Sequence, residues 1–445
     1  MYLKSYEKKY IKYKSKYQRL KSYIGGTKGT LHGGAKGTLH GGDCSPLPNP
    51  EEEDLATTQN LLDLCPGERI TIKNKCYEVR GLHRWIIKMN NKKLPFTQTD
   101  ITPEDKQRLI EAYDELTFVP NILTREKLIQ IYPNLQQETH INLSNKGYTD
   151  IALDTFNNLP SLEYLYLDNN KIRELQPGTF GNNLPRLKEL VLSNNQIIEL
   201  YPGAFNNLPN LRQLFLGYNQ IKGLQPGIFD NLPNLYTLIL YSNQIQELQP
   251  SIFDNLQNLN NLNLRNNQIR ELQSGIFNNL QNLIYLLLSY NKIQELQSGI
   301  FGDNLSRLVV LYLDNNQIQE LQVGIFNNLS NLQYLWLDDN QIQELQPGIF
   351  DNLSKLDSLG LNNNQIRELQ LGTFNNLPRL RELKLSYNQI QELQPGIFNN
   401  LTALRYLHLE NNHPRYTGQM QILQPLKVHF ANSYYGLSSI VRIRI

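Results

Sequence analysis

The sequence predicts a repeat fold, a solenoid of stacked coils, over about two thirds of the chain. Two observations predict it. Asparagines recur at nearly constant spacing, with eight of eleven intervals being 24 residues and three being 25. Around each asparagine stands the frame L-x-x-L-x-L-x-x-N-x-I-x-x-L, usually followed by Q-P-G-I-F-x-N-L. Such an array offers a surface to a partner rather than a catalytic pocket. The asparagines are Asn145, Asn170, Asn195, Asn219, Asn243, Asn267, Asn291, Asn316, Asn340, Asn364, Asn388 and Asn412.

One unit shows how a coil is built. Because side chains alternate along a strand, we expect Leu332, Leu335 and Leu337 to point into the coil. Asn340 turns the chain out of the strand, and its amide can bond to backbone groups of neighbouring coils. Eleven of the fifteen phenylalanines occupy one phase of the repeat and predict a buried spine: Phe156, Phe180, Phe205, Phe229, Phe253, Phe277, Phe301, Phe326, Phe350, Phe374 and Phe398.

The three longer intervals are explained by single added residues on the return arm of the coil. One lies before Phe156, and the others lie in the stretches 181–184 and 302–305. An extra residue is tolerated there, whereas within a strand it would reverse the direction of every following side chain.

The pattern resembles the leucine-rich repeat family, in its 24-residue typical class, over residues 139–412. The resemblance implies an α/β repeat, a curved solenoid with a parallel sheet lining its concave side. Strands stack roughly 4.8 Å apart, so twelve would span on the order of 50 Å along this face.

On the concave face, the outward position between the second and third leucine is not required by the solenoid frame. It reads Tyr166, Val191, Phe215, Ile239, Asn263, Leu287, Tyr312, Trp336, Gly360, Lys384 and His408. Flanking tyrosines add to it: Tyr164, Tyr218, Tyr236, Tyr241, Tyr285, Tyr290, Tyr334, Tyr387 and Tyr406.

An exposed aromatic stripe of this length usually marks a contact surface, and Tyr and Trp commonly anchor interfaces. We therefore predict that a protein partner contacts Tyr166, Phe215, Ile239, Leu287, Tyr312, Tyr334 and Trp336, with Tyr312, Tyr334 and Trp336 as anchors. The alternative is that neighbouring aromatics stack along the sheet and stabilise it without any partner.

Composition indicates an intracellular protein. The chain is 40% hydrophobic with a formal net charge of +2, and its three cysteines are Cys44, Cys65 and Cys76. Residues 1–24 lack the apolar core of a secretory signal, and no stretch reaches the roughly 18 apolar residues of a membrane span. We expect a protein that is made and kept in a reducing compartment, without a transmembrane segment.

Residues 1–24 predict a basic Tyr/Lys-rich helix, because Tyr6, Tyr10, Tyr13, Tyr17, Leu20 and Ile24 follow helical spacing. Seven lysines and Arg19 against Glu7 give it a charge of about +7. Three interpretations are open: a solvated helix that self-associates weakly, a contact with nucleic acid or anionic membrane, and a localisation signal. This opening also resembles the N-termini of proteins from giant amoeba-infecting DNA viruses.

The remaining segments complete the predicted organisation. Residues 25–56 form a flexible Gly/Pro-rich linker that begins with a tandem octapeptide, and residues 57–118 form a small α+β domain with a hairpin from Ile70 to Val79. Residues 119–138 are a helical connector with a helix from Thr124 to Ile131. Residues 413–445 form a C-terminal cap, in which the alternation from Ile440 to Ile445 suits an edge strand.

The small domain resembles a U-box, the metal-free relative of the RING domain. The matching stretches are Asn74–Val79, Leu82–Ile86, Leu94–Gln98 and the helix containing Leu109–Tyr113, whereas the first loop reads Pro66-Gly67-Glu68-Arg69 in place of the usual motif. By position, the resemblance implies that Leu64, Trp85 and Pro95 contact a ubiquitin-conjugating enzyme. The alternative is a small cap that shields the apolar end of the first repeat.

No motif indicates intrinsic catalysis. The cysteines and histidines have no metal-ligand spacing, and the sequence has no P-loop, no G-x-G-x-x-G after a strand and no G-x-S-x-G. We therefore expect no cofactor. Three classes of function remain: a protein-binding module, a U-box-type ubiquitin ligase whose solenoid recruits the substrate, and a structural or virion-associated protein.

Overall fold

The computed structural model describes residues 121–181 and 183–412, together with the backbone of five short strands outside those ranges. In chain order the strands are β1 Glu53–Asp54, β2 Gln59–Asn60, β3 Arg69–Ile72, β4 Lys75–Glu78, β5 Ile122–Leu123, β6 His140–Asn142, β7 Asp150–Ile151, β8 Tyr164–Tyr166, β9 Glu174–Leu175, β10 Glu189–Val191, β11 Glu199–Leu200, β12 Gln213–Phe215, β13 Thr237–Ile239, β14 Asn261–Asn263, β15 Tyr285–Leu287, β16 Val310–Tyr312, β17 Tyr334–Trp336, β18 Ser358–Gly360, β19 Glu382–Lys384, β20 Tyr406–His408 and β21 Arg442–Arg444. One helix, α1, spans Arg125–Ile131 within the described ranges.

The chain divides into two units, Met1–Val119 and Pro120–Ile445. In the first unit, β3 and β4 pair antiparallel, which confirms the predicted hairpin. The sequence predicts Lys73-Asn74-Lys75 as the turn, but Lys75 already pairs with Ile72, so the turn is one residue shorter. Strands β1 and β2 also pair antiparallel, and β1 lies in the stretch predicted as linker. The predicted basic helix 1–24 and the predicted contacts Leu64, Trp85 and Pro95 lie outside the described residues.

The second unit opens with the predicted connector helix, which is confirmed. Helix α1 begins where the side chain of Thr124 accepts a hydrogen bond from the Lys127 N–H at 3.4 Å, the usual role of threonine at a helix start. Just before it, β5 pairs parallel with β7. This pairing and the buried Leu128 connect the helix to the first coil of the array.

The array itself is a parallel sheet with one strand from each coil, as predicted. Within the described residues the sheet has thirteen strands, in the order β21-β20-β19-β18-β17-β16-β15-β14-β13-β12-β10-β8-β6. On the return side, β9 and β11 form a separate parallel pair. The edge strand expected in the C-terminal segment is confirmed, because β21 pairs parallel with β20. Residues 413–441, between these two strands, lie outside the described residues.

The interior follows the predicted columns. Leu332, Leu335 and Leu337 are fully buried. The phenylalanine spine is confirmed, because each of its eleven members is at most 3% exposed. Most successive rings stack, with centroids 6.2 Å apart between Phe350 and Phe374. The return arm bends at Gly348, whose φ of +84° lies in the region that glycine adopts without steric conflict.

The asparagine ladder joins each coil to its neighbours. Asn340 Nδ2 donates to the carbonyls of Leu313 at 3.0 Å and Leu337 at 3.1 Å, and its Oδ1 accepts from the Ile318 N–H at 3.0 Å. A buried turn thereby has its backbone groups satisfied, as the sequence predicted.

Asn145 was wrongly placed in this ladder. It is exposed and has a φ of 60°, the conformation that other coils reserve for the residue before the ladder asparagine. Asn170 Oδ1 accepts instead from the Lys146 N–H at 3.1 Å and the Tyr148 N–H at 3.0 Å. The described ladder therefore runs from Asn170 to Asn412.

The predicted extra residue before Phe156 is also wrong. Strands β6 and β8 pair Ile141 with Leu165, a separation of 24 residues, so the first coil has the normal length. The error came from counting the interval from Asn145. The two other longer coils are confirmed, since Leu165 pairs with Leu190 and Leu286 pairs with Leu311, each 25 residues apart.

Candidate functional site

The candidate site is the concave sheet, where the first and third residues of each strand point outward. The parallel register places the third residues in one column, which contains Tyr166, Phe215, Ile239, Leu287, Tyr312 and Trp336. Tyr334 lies beside them in the column of first residues. All seven are half-buried, whereas the leucine between each pair of outward residues is fully buried. The structure therefore brings the predicted residues to one face.

The closest aromatic contact in this column is between Tyr312 and Trp336. Their rings stack with centroids 4.0 Å apart and an angle of 4° between the planes. Burial raises the pKa of the Tyr312 hydroxyl, which therefore stays a neutral donor. The Nε1 of Trp336 is buried and has no hydrogen-bond partner in the described chain. A buried indole N–H usually has a partner, so this donor is an unsatisfied polar group at the candidate site.

Gly360, the next residue in the column, allows a carboxylate to lie across the sheet. A Cβ added there would meet Asp338 Oδ2 at 1.9 Å. Asp338 Oδ1 accepts from the Asn362 N–H at 2.9 Å, which holds the side chain over the neighbouring coil. Lys384, one strand further, lies with its Nζ 5.5 Å from the Trp336 ring centroid. Sequence reasoning missed this arrangement, although a glycine inside a strand is a known sign of close approach.

Asp338 is the most strongly perturbed group of the candidate site. Burial raises the pKa of its carboxyl to about 6. The Asn362 N–H and Lys384 lower this pKa in part, while Asp314 and Asp339 raise it. The site therefore holds a carboxylate that is poorly solvated and poorly neutralised near neutral pH.

An ionic cluster follows at the last strands. Glu382 Oε1 lies 3.7 Å from Lys384 Nζ and 3.6 Å from His408 Nε2. His408 Nδ1 lies 3.9 Å from Glu410 Oε1. These side chains are partly exposed, so each pair contributes little to stability.

The concave face has two stretches of different charge. We define the outward positions of a coil as the first and third strand residues and the two residues that come after the leucine following the strand, such as positions 213, 215, 217 and 218. The neutral stretch, β12–β15, has Arg265 as its one charged residue at these positions. The acidic stretch, β16–β20, carries Lys384 and His408 against five carboxylates: Asp314, Asp338, Asp339, Glu382 and Glu410.

Three tyrosines at the rim adopt an unusual backbone conformation. Tyr218, Tyr290 and Tyr387 have φ between 54° and 56° and are 49–55% exposed. The turn before the ladder asparagine requires this left-handed region, which asparagine tolerates better than tyrosine. Strained residues that remain exposed are candidates for contact with a partner. The sequence identified these tyrosines but gave no sign of their strain.

The other flanking tyrosines occupy three kinds of position. Tyr164, Tyr285, Tyr334 and Tyr406 are first strand residues. Tyr236 precedes β13, and Tyr241 follows it and packs edge-on against Tyr218 with centroids 4.9 Å apart. Tyr241 also covers Gly217, where an added Cβ would lie 2.7 Å from its ring. Gly217, like Gly360, thus allows a side chain of the neighbouring coil to lie against the backbone.

The described residues form neither a metal site nor a membrane-spanning helix. Among the residues that the structure describes, no group of three or more His, Cys, Asp and Glu side chains has the geometry to hold a metal ion. No described helix is long and apolar enough to cross a membrane.

The sequence matches a family model, Leucine rich repeat, over residues 139–197, 185–245, 233–293, 257–304, 306–366 and 354–413. These matches cover more than half of the chain. No curated protein sequence matches the chain.

Solved structures resemble the array. The chain is 31% identical to a chain of the TLR13–ssRNA13 complex, with a TM-score of 0.58, covering 66% of this chain and 42% of that one. It is 28% identical to a leucine-rich repeat protein of Leptospira interrogans, with a TM-score of 0.51 and coverages of 62% and 77%. It is 25% identical to a chain of the Drosophila Toll–Spatzle complex, with a TM-score of 0.51 and coverages of 61% and 40%. The match spans less than half of the TLR13 and Toll chains.

Proposed function

Because this chain belongs to the leucine-rich repeat family, we propose that it is a protein-interaction module whose partner binds the concave face around Tyr312 and Trp336. Solenoids of this kind are typical binding scaffolds, since stacked coils present a long, continuous surface. The comparisons support the general class, because two of the similar chains come from complexes with another molecule, TLR13 with ssRNA13 and Toll with Spatzle.

The Tyr312–Trp336 pair carries the proposal. The inward leucines and the ladder build the coil, whereas nothing in the frame requires an aromatic residue at these outward positions. The stack leaves both rings half-buried and leaves a buried Trp336 Nε1 without a partner in the described chain. Rigid, half-buried aromatic groups of this kind are what interface hot spots usually contain.

The alternative, stacking that stabilises the sheet without a partner, predicts a different response to mutation. Under that alternative, Trp336→Ala lowers stability and changes no interaction. Under our proposal, Trp336→Ala weakens partner binding by about 2 kcal/mol or more, roughly thirtyfold, and the array stays folded.

The experiment begins with proximity labelling in cells, which identifies candidate partners, followed by calorimetric titration of each purified candidate. Wild type is compared with Trp336→Ala and with Leu371→Ala, which removes an exposed apolar side chain outside the concave sheet. We expect Leu371→Ala to bind like wild type. If Trp336→Ala binds equally well, the concave-face proposal is wrong.

Ubiquitin ligase activity is the second candidate. It is supported by the resemblance of residues 57–118 to a U-box and by the hairpin of β3 and β4 in that segment. The double variant Trp85→Ala and Pro95→Ala tests it in a ubiquitination assay with a panel of conjugating enzymes. Ubiquitin chains that form with wild type and not with the variant would establish a ligase, and no chains with either would favour a cap.

A further inference from the structure

A second surface borders the concave face, along the edge where the chain enters each strand. We call it the entry edge. It consists of the residue directly before each strand and the residue two positions before that one, for example Lys188 and Arg186 before β10. Across β8–β20, excluding the return-side pair, it carries eight basic residues: Arg186, Lys188, Arg212, Arg307, Lys355, Arg379, Arg381 and Arg405. Its two acidic residues, Glu163 and Asp357, are already paired with Lys188 at 2.6 Å and Arg381 at 3.1 Å.

The basic residues are unevenly spaced along this edge. Between Arg212, before β12, and Arg307, before β16, the edge positions are uncharged. The two arginines are four strands apart, which corresponds to about 19 Å. An open groove of about 570 Å³ occupies this interval, with Arg212 and Arg307 among its lining residues. A second groove of about 340 Å³, lined by Lys355, Arg379 and Arg381, follows on the same edge.

The groove between the arginines has an apolar part and a rigid amide wall. Tyr236, which is 51% exposed, and Ile284 supply the apolar part. The wall consists of Asn234, Asn258 and Asn282, whose amide nitrogens donate to the carbonyls of Pro209, Pro233 and Gln257 at 2.8–2.9 Å. These bonds fix the amides, and the remaining oxygens of Asn234 and Asn258 can accept hydrogen bonds from a ligand. Arg307 is itself positioned by Asn282 Oδ1 at 2.5 Å.

The spacing of the charges distinguishes possible ligands. A nucleic acid carries one phosphate per nucleotide, so several phosphates would lie in the uncharged interval without a neutralising cation. An extended protein segment covers about 20 Å in six residue steps. Its ends can carry acidic side chains to the two arginines, while apolar side chains and backbone N–H groups face the groove.

We propose that the entry-edge groove between Arg212 and Arg307 binds an extended protein segment with an apolar centre and an acidic residue at each end, about six residues apart. This site is separate from the Tyr312–Trp336 site and does not depend on it. It gives the array a second recognition surface, selective for acidic segments.

The test uses fluorescein-labelled peptides and fluorescence anisotropy with the full chain. The first probe has the sequence Glu-Val-Ser-Leu-Ser-Val-Glu, the second has lysine in place of both glutamates, and a ten-residue oligo(dT) serves as the third. Arg212→Glu with Arg307→Glu reverses the charges at the groove. Arg270→Glu with Arg367→Glu makes the same change in net charge at exposed arginines outside the entry edge.

We expect the glutamate peptide to bind wild type and the Arg270/Arg367 variant equally, and to bind the Arg212/Arg307 variant about tenfold more weakly. The lysine peptide should show the opposite preference. Trp336→Ala should leave both affinities unchanged, which separates this site from the concave one. Circular dichroism melting confirms that each variant is folded.

Three outcomes overturn the proposal. In the first, the glutamate peptide fails to bind wild type. In the second, both charge-reversal variants weaken it equally, which indicates an effect of net charge alone. In the third, oligo(dT) binds wild type more tightly than the peptide and loses this binding in the Arg212/Arg307 variant, which indicates a nucleic-acid site.

Discussion

The inward and the outward residues of the same strands differ in how much the residue type changes from coil to coil. In β17 the inward Leu335 is fully buried, and leucine occupies the equivalent position of every strand of the concave sheet from β8 to β20. The outward Trp336, one residue later, is followed in its column by Gly360 and Lys384. The uniform inside builds the coil and stacks it on its neighbours. The variable outside is free to specify a partner, because the frame does not constrain it.

The outside also varies along its length. The neutral stretch presents aliphatic, aromatic and amide side chains, whereas the acidic stretch presents carboxylates beside the Tyr312–Trp336 stack. A partner that covers both stretches would need an apolar part and a basic part. Substitution of an inward residue should therefore alter the stability of the fold. Substitution of an outward residue should alter recognition or local electrostatics.

The largest expected effect comes from the spine. Phe277→Ala removes a fully buried ring that stacks on Phe253 with centroids 6.3 Å apart. We expect the free energy of unfolding to fall by about 3–5 kcal/mol, because the cavity adds to the lost burial of the ring. Urea denaturation followed by circular dichroism measures this change. A loss below about 1 kcal/mol would mean that neighbouring coils collapse into the cavity.

The ladder should give the next largest effect. Asn291 donates to the carbonyls of Leu264 and Leu288, each at 3.0 Å, and accepts from the Ile269 N–H at 3.1 Å. Asn291→Ala leaves these buried groups unsatisfied, so we expect a loss of about 2–3 kcal/mol.

Asn145 provides the matched control for the ladder. It is exposed with a φ of 60°, a conformation that glycine tolerates, so Asn145→Gly should change the free energy of unfolding by only a few tenths of a kcal/mol. The same urea denaturation compares the two variants. Equal losses for Asn145→Gly and Asn291→Ala would contradict the placement of Asn145 outside the ladder.

The sequence predicted the inside more completely than the outside. Leucine, phenylalanine and ladder positions follow from period and alternation, because burial leaves little choice of residue. The first coil was misplaced because its turn carries Asn145 one position early, where the left-handed conformation, rather than the ladder, favours asparagine. A spacing count cannot distinguish these two uses of one residue type.

The outward residues were correctly assigned to one face, but their contacts were not foreseen. Asp338 crosses to the neighbouring coil because Gly360 has no side chain, and Lys384 approaches Trp336 across the same glycine. These contacts join residues that are 22 and 48 positions apart, and they depend on side-chain rotamers that no repeat period encodes.

Substitution of Gly360, an outward residue, therefore tests its contact with Asp338 and should also affect stability. In Gly360→Ala the new methyl group conflicts with Asp338, whose carboxylate must move and lose the Asn362 N–H. We expect a loss of about 1–2 kcal/mol, measured by urea denaturation, chiefly because the hydrogen bond to the Asn362 N–H is lost. The double variant with Asp338→Ala should recover most of this loss, because the obstructing group is absent. Additive losses in the double variant would mean that the two residues do not interact.

The smallest expected effect is the pH dependence that Asp338 contributes. The pKa of its carboxyl is raised from the ordinary value of 3.8 to about 6, and burial is the largest cause. Between about pH 4 and pH 6 the folded chain keeps a proton on this carboxyl that the unfolded chain has released. The stability contributed by the protonated group is therefore fully present below pH 4 and is lost as the pH rises through 6. After allowance for solvent screening, we expect about 1 kcal/mol.

Asp338→Asn isolates this contribution. The carboxyl of Asp150 also has a pKa raised to about 6 by burial, but it is present in both proteins and cancels in their difference. The stability of wild type relative to Asp338→Asn should fall by about 1 kcal/mol between pH 4 and pH 7. A constant difference, or a carboxyl ¹³C titration with a midpoint near 4, would mean that Asp338 is well solvated. We propose that this outward carboxylate, whose charge costs stability, pairs with a basic group of a partner.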